Sequence, residues 1–108
     1  MVTIKQFKTL ALQFPGAEES PHFEKISFRV KKKIFVTLNE KDAVAIVKLS
    51  EIDQSVYCAI DQSVIYPVPG KWGTHGWTMI RLAKVPTEIL AEVVKKSYDE
   101  VLKGNKKV

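Results

Sequence analysis

The sequence predicts a single α+β domain, an antiparallel β-sheet with an N-terminal and a C-terminal helix packed on one face. Two observations lead there. Apolar residues recur at helical spacing near both ends of the chain, and at a spacing of two between Ile26 and Leu38 and again between Trp77 and Leu82. A chain of 108 residues, 45% hydrophobic and 27% charged, is sized and composed for one core. Two such helices need something to cover, and the sheet between them offers one apolar face, leaving the other for partners. Residues 1–103 are expected to form this domain and residues 104–108, which begin Gly104-Asn105, to fray.

Ile4, Phe7, Leu10, Ala11 and Phe14 share one face of a first helix. Thr3-Ile-Lys-Gln6 has the form of a capping box at its start, and Pro15-Gly16 stops it. Residues 15–22 read as a loop. From Phe23 the period becomes two. Ile26, Phe28 and Val30 alternate with Ser27, Arg29 and Lys31, then Ile34, Val36 and Leu38 alternate with Lys33, Phe35 and Thr37. Two half-buried strands follow, joined at Lys31-Lys32, where no Gly or Asn supplies the positive φ that a two-residue hairpin prefers.

Asn39 to Asp42 is a turn into Ala43–Leu49, apolar on both faces except at Lys48 and so an inner strand. Ser50-Glu-Ile-Asp53 opens a short helix with Ile52, Val56, Ala59 and Ile60 on one face. Val64 to Tyr66 is a short extended piece cut by Pro67 and Pro69. Gly70 to Gly76 is a glycine-rich loop feeding a strand from Trp77 to Leu82. Pro86 suits the first turn of a final helix whose stripe is Ile89, Leu90, Val93, Val94, Tyr98, Val101 and Leu102.

The formal net charge is +5, which favours anionic partners. The excess sits in the N-terminal half, where residues 1–48 carry nine Lys or Arg against five Asp or Glu. Cys58 is the sole cysteine, so no intrachain disulfide forms and a reducing, cytoplasmic setting is expected. Met1 to Lys5 lacks the pattern of an export signal, and no stretch approaches the roughly 20 apolar residues of a membrane span.

If the even-numbered residues from Ile26 to Leu38 face the helices, then Arg29, Lys31, Lys33 and Phe35 face away. Placing Thr78, Ile80 and Leu82 inward likewise sends Trp77, Met79 and Arg81 out. With Lys48, Lys71 and Trp72 these make a candidate nucleic-acid surface. Arg29, Lys31, Lys33, Lys48, Lys71 and Arg81 neutralise phosphates, while Phe35, Trp72 and Trp77 stack on bases or wedge at a groove. Two structural alternatives stand beside this: residues 67–76 lie across the face and bury Trp77 and Phe35, and Lys31 to Lys33 form no more than a solvated turn.

Gly70-x-x-Gly73-x-x-Gly76 with Lys71 is either a backbone anion nest or a structural turn, and it matches neither the Walker loop nor the dinucleotide fingerprint. His22 and His75 lack a second ligand at metal spacing. Cys58 has no histidine near it in sequence and suits a small buried hydrophobe, and Glu18, Glu19 and Glu24 are scattered in a loop. No catalytic residue, metal or cofactor is expected.

Phe14-Pro15-Gly16, His22-Phe23-Glu24-Lys25, Phe28-Arg29-Val30, Lys33-Ile34-Phe35, Val47-Lys48-Leu49, Tyr66-Pro67-Val68-Pro69, Lys71-Trp72-Gly73, Gly76-Trp77-Thr78 and Ser97-Tyr98, in that order, resemble the YjbR/MmcQ family of small bacterial proteins. The resemblance covers nearly the whole chain and is most specific from Pro67 to Thr78. It implies a fold like that of the frataxin homologue CyaY, and a family described as DNA-binding by analogy with other sheet-based binders. It brings no catalytic residues. Frataxin-like iron binding on an acidic first helix is disfavoured, because that helix carries Lys5 and Lys8 and no acid.

The resulting expectation is a monomeric, non-enzymatic domain whose partner is nucleic acid, DNA in the first instance. The alternative is a module that binds a protein or small ligand through the Trp72/Trp77 loop, a hydrophobic patch with a cationic rim.

Overall fold

Thr3 opens the first helix by exchanging hydrogen bonds with Gln6. Its Oγ1 accepts from the Gln6 amide at 3.1 Å, and the Gln6 side chain accepts from the Thr3 amide at 2.9 Å, which satisfies amides that a helix start leaves free. The computed structural model describes residues 2–22 and 25–105. Along the chain come α1 (Ile4–Leu12), β1 (Glu18–His22), β2 (Lys25–Val30), β3 (Lys33–Asn39), β4 (Val44–Lys48), α2 (Glu51–Cys58), β5 (Ile65–Pro67), α3 (Lys71–Thr74), β6 (Trp77–Arg81) and α4 (Thr87–Asn105). The fold is α+β. Its six strands form one sheet in the order β1-β2-β3-β4-β6-β5, with every neighbouring pair antiparallel.

One face of the sheet carries the core. Register places Phe28, Val36, Val47 and Thr78 in one row and Leu38, Ala45 and Ile80 in the next, all fully buried. The Phe7 ring of α1 meets Phe28 edge-on at 5.8 Å. Leu90, Val93, Val94 and Tyr98 of the expected α4 stripe are buried, and Ser97 is buried beside them. Tyr98 stacks on Phe14 at 5.0 Å and donates its hydroxyl to the Pro15 carbonyl, so the end of α1 and the middle of α4 are tied together. Thr78, Ile80 and Leu82 point inward as expected.

Several expectations are corrected. The segment read as a loop over residues 15–22 contains β1, which pairs with β2 from Glu18↔Arg29 to His22↔Lys25. Pro21 hid it, although a strand at a sheet edge accommodates proline because one side needs no ladder bond. Phe23 and Glu24, where the next strand was expected to begin, lie outside the described residues. So do residues 106–108, while α4 continues through Gly104 to Asn105, beyond the expected start of the frayed tail.

The expected parity of β3 fails at its first half. β2 pairs with β3 as Phe28↔Val36 and then Arg29↔Ile34, so Phe35 is an extra residue in β3, a β-bulge. The bulge inverts side-chain direction on one side of it. Phe35 turns inward, fully buried against Tyr98 at 5.5 Å and Phe14 at 6.4 Å, and Ile34 turns outward, half-buried. Phe35 is therefore a core residue, not a stacking ring on the open face.

The β2–β3 turn is a two-residue hairpin after all. Lys31 and Lys32 adopt φ of 50° and 70°, the left-handed region that such a turn demands and that lysine occupies only with strain. α2 turns its apolar stripe away from the sheet. Ile52, Val56 and Ile60 are 75%, 55% and 53% exposed, and the helix is held instead by polar groups. The Gln54 side chain donates to the carbonyls of Gly73 and Trp77 and to Thr78 Oγ1, and the Tyr57 hydroxyl donates to Glu92 of α4 at 3.0 Å.

Candidate functional site

The site is built by a parting of strands. β3 pairs with β4 only from Val36↔Val47 to Asn39↔Val44, whereas the next residue of β4, Lys48, pairs with Trp77 of β6. Lys33 and Ile34 stay with β2. Between the diverging strands the Ser97 hydroxyl of α4 accepts from the Lys48 amide at 2.8 Å and donates to the Phe35 carbonyl. A side chain of the helix thus supplies the bonds that a continuous ladder would otherwise make.

At this opening, on the face away from the core, lies a cleft of about 790 Å³. β2 contributes Lys25 and Arg29, the turn and β3 contribute Lys32, Lys33, Ile34 and Thr37, and β4 contributes Ile46 and Lys48. Trp77 of β6 joins them, with Val68 and Trp72 from the loop and α3 on one side and Glu100 and Val101 of α4 on another. Five cations thus face one carboxylate, and among the described residues none of the five is in an ion pair. Their summed charge makes the cleft a focus of positive potential.

Two of these cations are held in place. Arg29 Nε donates to Ser27 Oγ at 3.2 Å, and Ser27 in turn donates to the Ser20 carbonyl of β1 at 3.0 Å. The Lys48 ammonium lies 5.8 Å from the centre of the Trp77 ring and donates to the His75 carbonyl. Trp77 is half-buried beneath it, while Trp72 is 64% exposed.

The glycines shape the loop beside the cleft. A Cβ on Gly73 would fall 2.0 Å from the Val68 carbonyl oxygen, and one on Gly76 would fall 1.9 Å from that of Leu49, where φ is also +97°. The amides of Gly73, His75 and Gly76 donate to carbonyls within the loop, so the glycine spacing serves a close-packed turn rather than an anion nest. The loop flanks the open face, and it is Phe14, just past α1, and Tyr98 of α4 that pack on Phe35.

Arg29, Lys33, Lys48, Trp72 and Trp77 of the expected surface meet in the cleft. Lys31, Lys71 and Arg81 are exposed but do not line it, and Arg81 lies over the Tyr66 ring at 5.8 Å. The other eight lining residues, among them Lys25, Lys32, Ile34, Ile46 and Glu100, were not expected from the sequence. Lys25 was legible, since it continues the outward parity of Ser27 and Arg29. Glu100 carried no signal, because only the parting of β3 from β4 brings a residue of α4 to this face.

Among the described residues, no group of three His, Cys, Asp or Glu side chains is arranged to hold a metal ion. The His22 side chain lies outside them. Cys58 is a half-buried free thiol whose burial pushes its pKa up, away from the thiolate a nucleophile needs. No described helix is long and apolar enough to cross a membrane.

The YjbR family model matches residues 12–100. The chain belongs to the YjbR family. A crystal structure of Deinococcus radiodurans protein DR2400, described with a DUF419 domain, superposes with a TM-score of 0.85 at 21% identity, covering 97% of this chain and 82% of that one. At that identity the likeness establishes a shared fold. No curated protein matches this YjbR chain. Eight of the thirteen cleft residues of the YjbR domain lie in the segments that carry the family resemblance: Lys25, Arg29, Lys33, Ile34, Lys48, Val68, Trp72 and Trp77.

Proposed function

We propose that this YjbR domain is a binding domain rather than an enzyme, and that its cleft takes nucleic acid, DNA in the first instance. One observation carries the reading: Arg29, Lys33, Lys48, Trp72 and Trp77, drawn from five separate elements, converge on a single cleft with Lys25 and Lys32. Cations bind phosphates by releasing counterions, and exposed rings add base contacts that do not depend on sequence.

The experiment is a fluorescence-anisotropy titration of labelled oligonucleotides over a salt series, using wild type, Lys33→Glu inside the cleft, and Arg81→Glu outside it. Micromolar binding that weakens steeply with salt is expected. Lys33→Glu should weaken it at least about tenfold more than Arg81→Glu does, since both variants change the net charge equally. Equal losses in the two variants would refute the cleft as the site, and absence of binding at low salt would refute the function.

A second reading is favoured by one observation, the cleft volume of about 790 Å³, which falls within the range of small-molecule sites. An anionic aromatic ligand would satisfy the same cations and rings. Thermal-shift titration with free mononucleotides and aromatic carboxylates separates the readings, because a small-ligand site saturates with these alone and then releases the oligonucleotide.

A further inference from the structure

We propose that the cleft selects unpaired nucleotides, so that its ligand is a single strand of DNA or RNA with one base inserted and its phosphates on the cationic rim. The inference rests on the nucleic-acid reading above and narrows it to a strand class.

Shape is the first argument. The cleft crosses β2, β3, β4 and β6, neighbours in the sheet, a span of about 14 Å at the usual spacing between strands. Its apolar and aromatic groups, Ile34, Ile46 and Trp77, lie on the sheet surface within this concavity. The bases of a duplex lie behind two phosphate ridges and are reached by an element that projects into a groove. The Lys31-Lys32 turn beside this cleft carries charge for phosphates and no ring for bases, and the exposed ring, Trp72, lies on the cleft wall. A base reaches Ile34 and Ile46 only if it is unstacked and turned out of its strand.

The distribution of charge and of free ring faces gives the second argument and the orientation. Trp77 already has the Lys48 ammonium against its ring, with that ammonium tethered to the His75 carbonyl. Trp72, 64% exposed on the cleft wall, is the ring free to stack. Glu100, reached where β3 and β4 part, is the one carboxylate among the described residues that line the cleft. A carboxylate repels phosphate and accepts hydrogen bonds from the amino and imino groups on a base edge. The base therefore enters toward Glu100, and the phosphates stay with Arg29 and Lys33.

The test measures affinity at low salt for a ten-nucleotide cytosine DNA, its RNA counterpart and a duplex of equal length, with wild type and Trp72→Ala. Trp72 is exposed, so the variant should fold, and its circular dichroism and melting temperature check this. Either single strand should bind at least about tenfold tighter than the duplex, and Trp72→Ala should weaken single-strand binding about tenfold while barely changing duplex binding. A preference for the DNA or for the RNA strand names the source, and either preference supports the proposal. Duplex binding as tight as single-strand binding, or an unchanged single-strand affinity in Trp72→Ala, overturns the proposal while leaving salt-dependent nucleic-acid binding intact. Failure of all three oligonucleotides to bind removes the broader reading as well.

Discussion

The hydroxyl of Ser97, buried on α4, donates to the main-chain carbonyl of Phe35 on β3. The same oxygen accepts from the Lys48 amide of β4 at 2.8 Å, so one helix side chain spans the point where the two strands separate and the cleft begins. Removing it takes this partner from the buried Phe35 carbonyl and the part-buried Lys48 amide. Ser97→Ala should destabilise the domain by about 2 kcal/mol in urea unfolding and speed exchange of the Lys48 amide proton. An unchanged unfolding midpoint would mean that β3 and β4 close directly on each other without the hydroxyl.

The bulge at Phe35 makes adjacent residues respond oppositely. Phe35 is fully buried against Tyr98 and Phe14, while Ile34 is half-buried on the cleft face. Phe35→Ala should cost about 3–5 kcal/mol and Ile34→Ala no more than about 1. Uninterrupted alternation along β3 requires the reverse ranking, so the pair of variants in denaturant decides between them.

Lys31 and Lys32 both hold positive φ, at 50° and 70°. Asparagine and glycine reach that region with less strain, and the double variant Lys31→Asn/Lys32→Gly should gain about 1 kcal/mol. Its melting temperature should rise even though Lys32 of the cleft and the neighbouring Lys31 are lost. A fall would show that the turn is not of the two-residue type.

The outward stripe of α2 yields a prediction of near-neutrality. Ile52, Val56 and Ile60 are 75%, 55% and 53% exposed, so replacing all three with glutamine should leave stability within about 0.5 kcal/mol of wild type. A stripe packed on the sheet would lose several times that amount.

Burial and the neighbouring Glu92 push the Tyr57 hydroxyl from 10.0 up to about 12. Between these values the native state keeps a proton that the unfolded chain releases. The contribution is therefore fully present below pH 10 and is lost as pH rises toward 12, with an amplitude that solvent screening holds to about 1 kcal/mol. Tyr57→Phe carries no such group, so the stability difference between wild type and the variant should narrow over that window. A difference that stays constant with pH would show that Tyr57 titrates alike in both states.

Local pattern was enough for much of the fold. The capping of α1 by Thr3 and Gln6, the stripe of α4 from Leu90 to Val101 and the inward set Thr78, Ile80 and Leu82 depend on neighbours a few residues apart, and periodicity records such neighbours directly. It also placed Arg29 and Trp77 on the outward side.

Tertiary structure decided the rest. Alternation cannot announce a bulge, because the extra residue at Phe35 exists only relative to the partner strand, and that one residue exchanges the faces of Ile34 and Phe35. β1 becomes a strand because the edge of β2 is there to pair with it. The stripe of α2 points outward because Gln54 and Tyr57 find hydrogen-bond partners on loop, strand and helix that no local window contains. The cleft has the same origin. Its cations and rings are written along the chain, but their meeting with Glu100 follows from two strands that separate around a serine belonging to a helix.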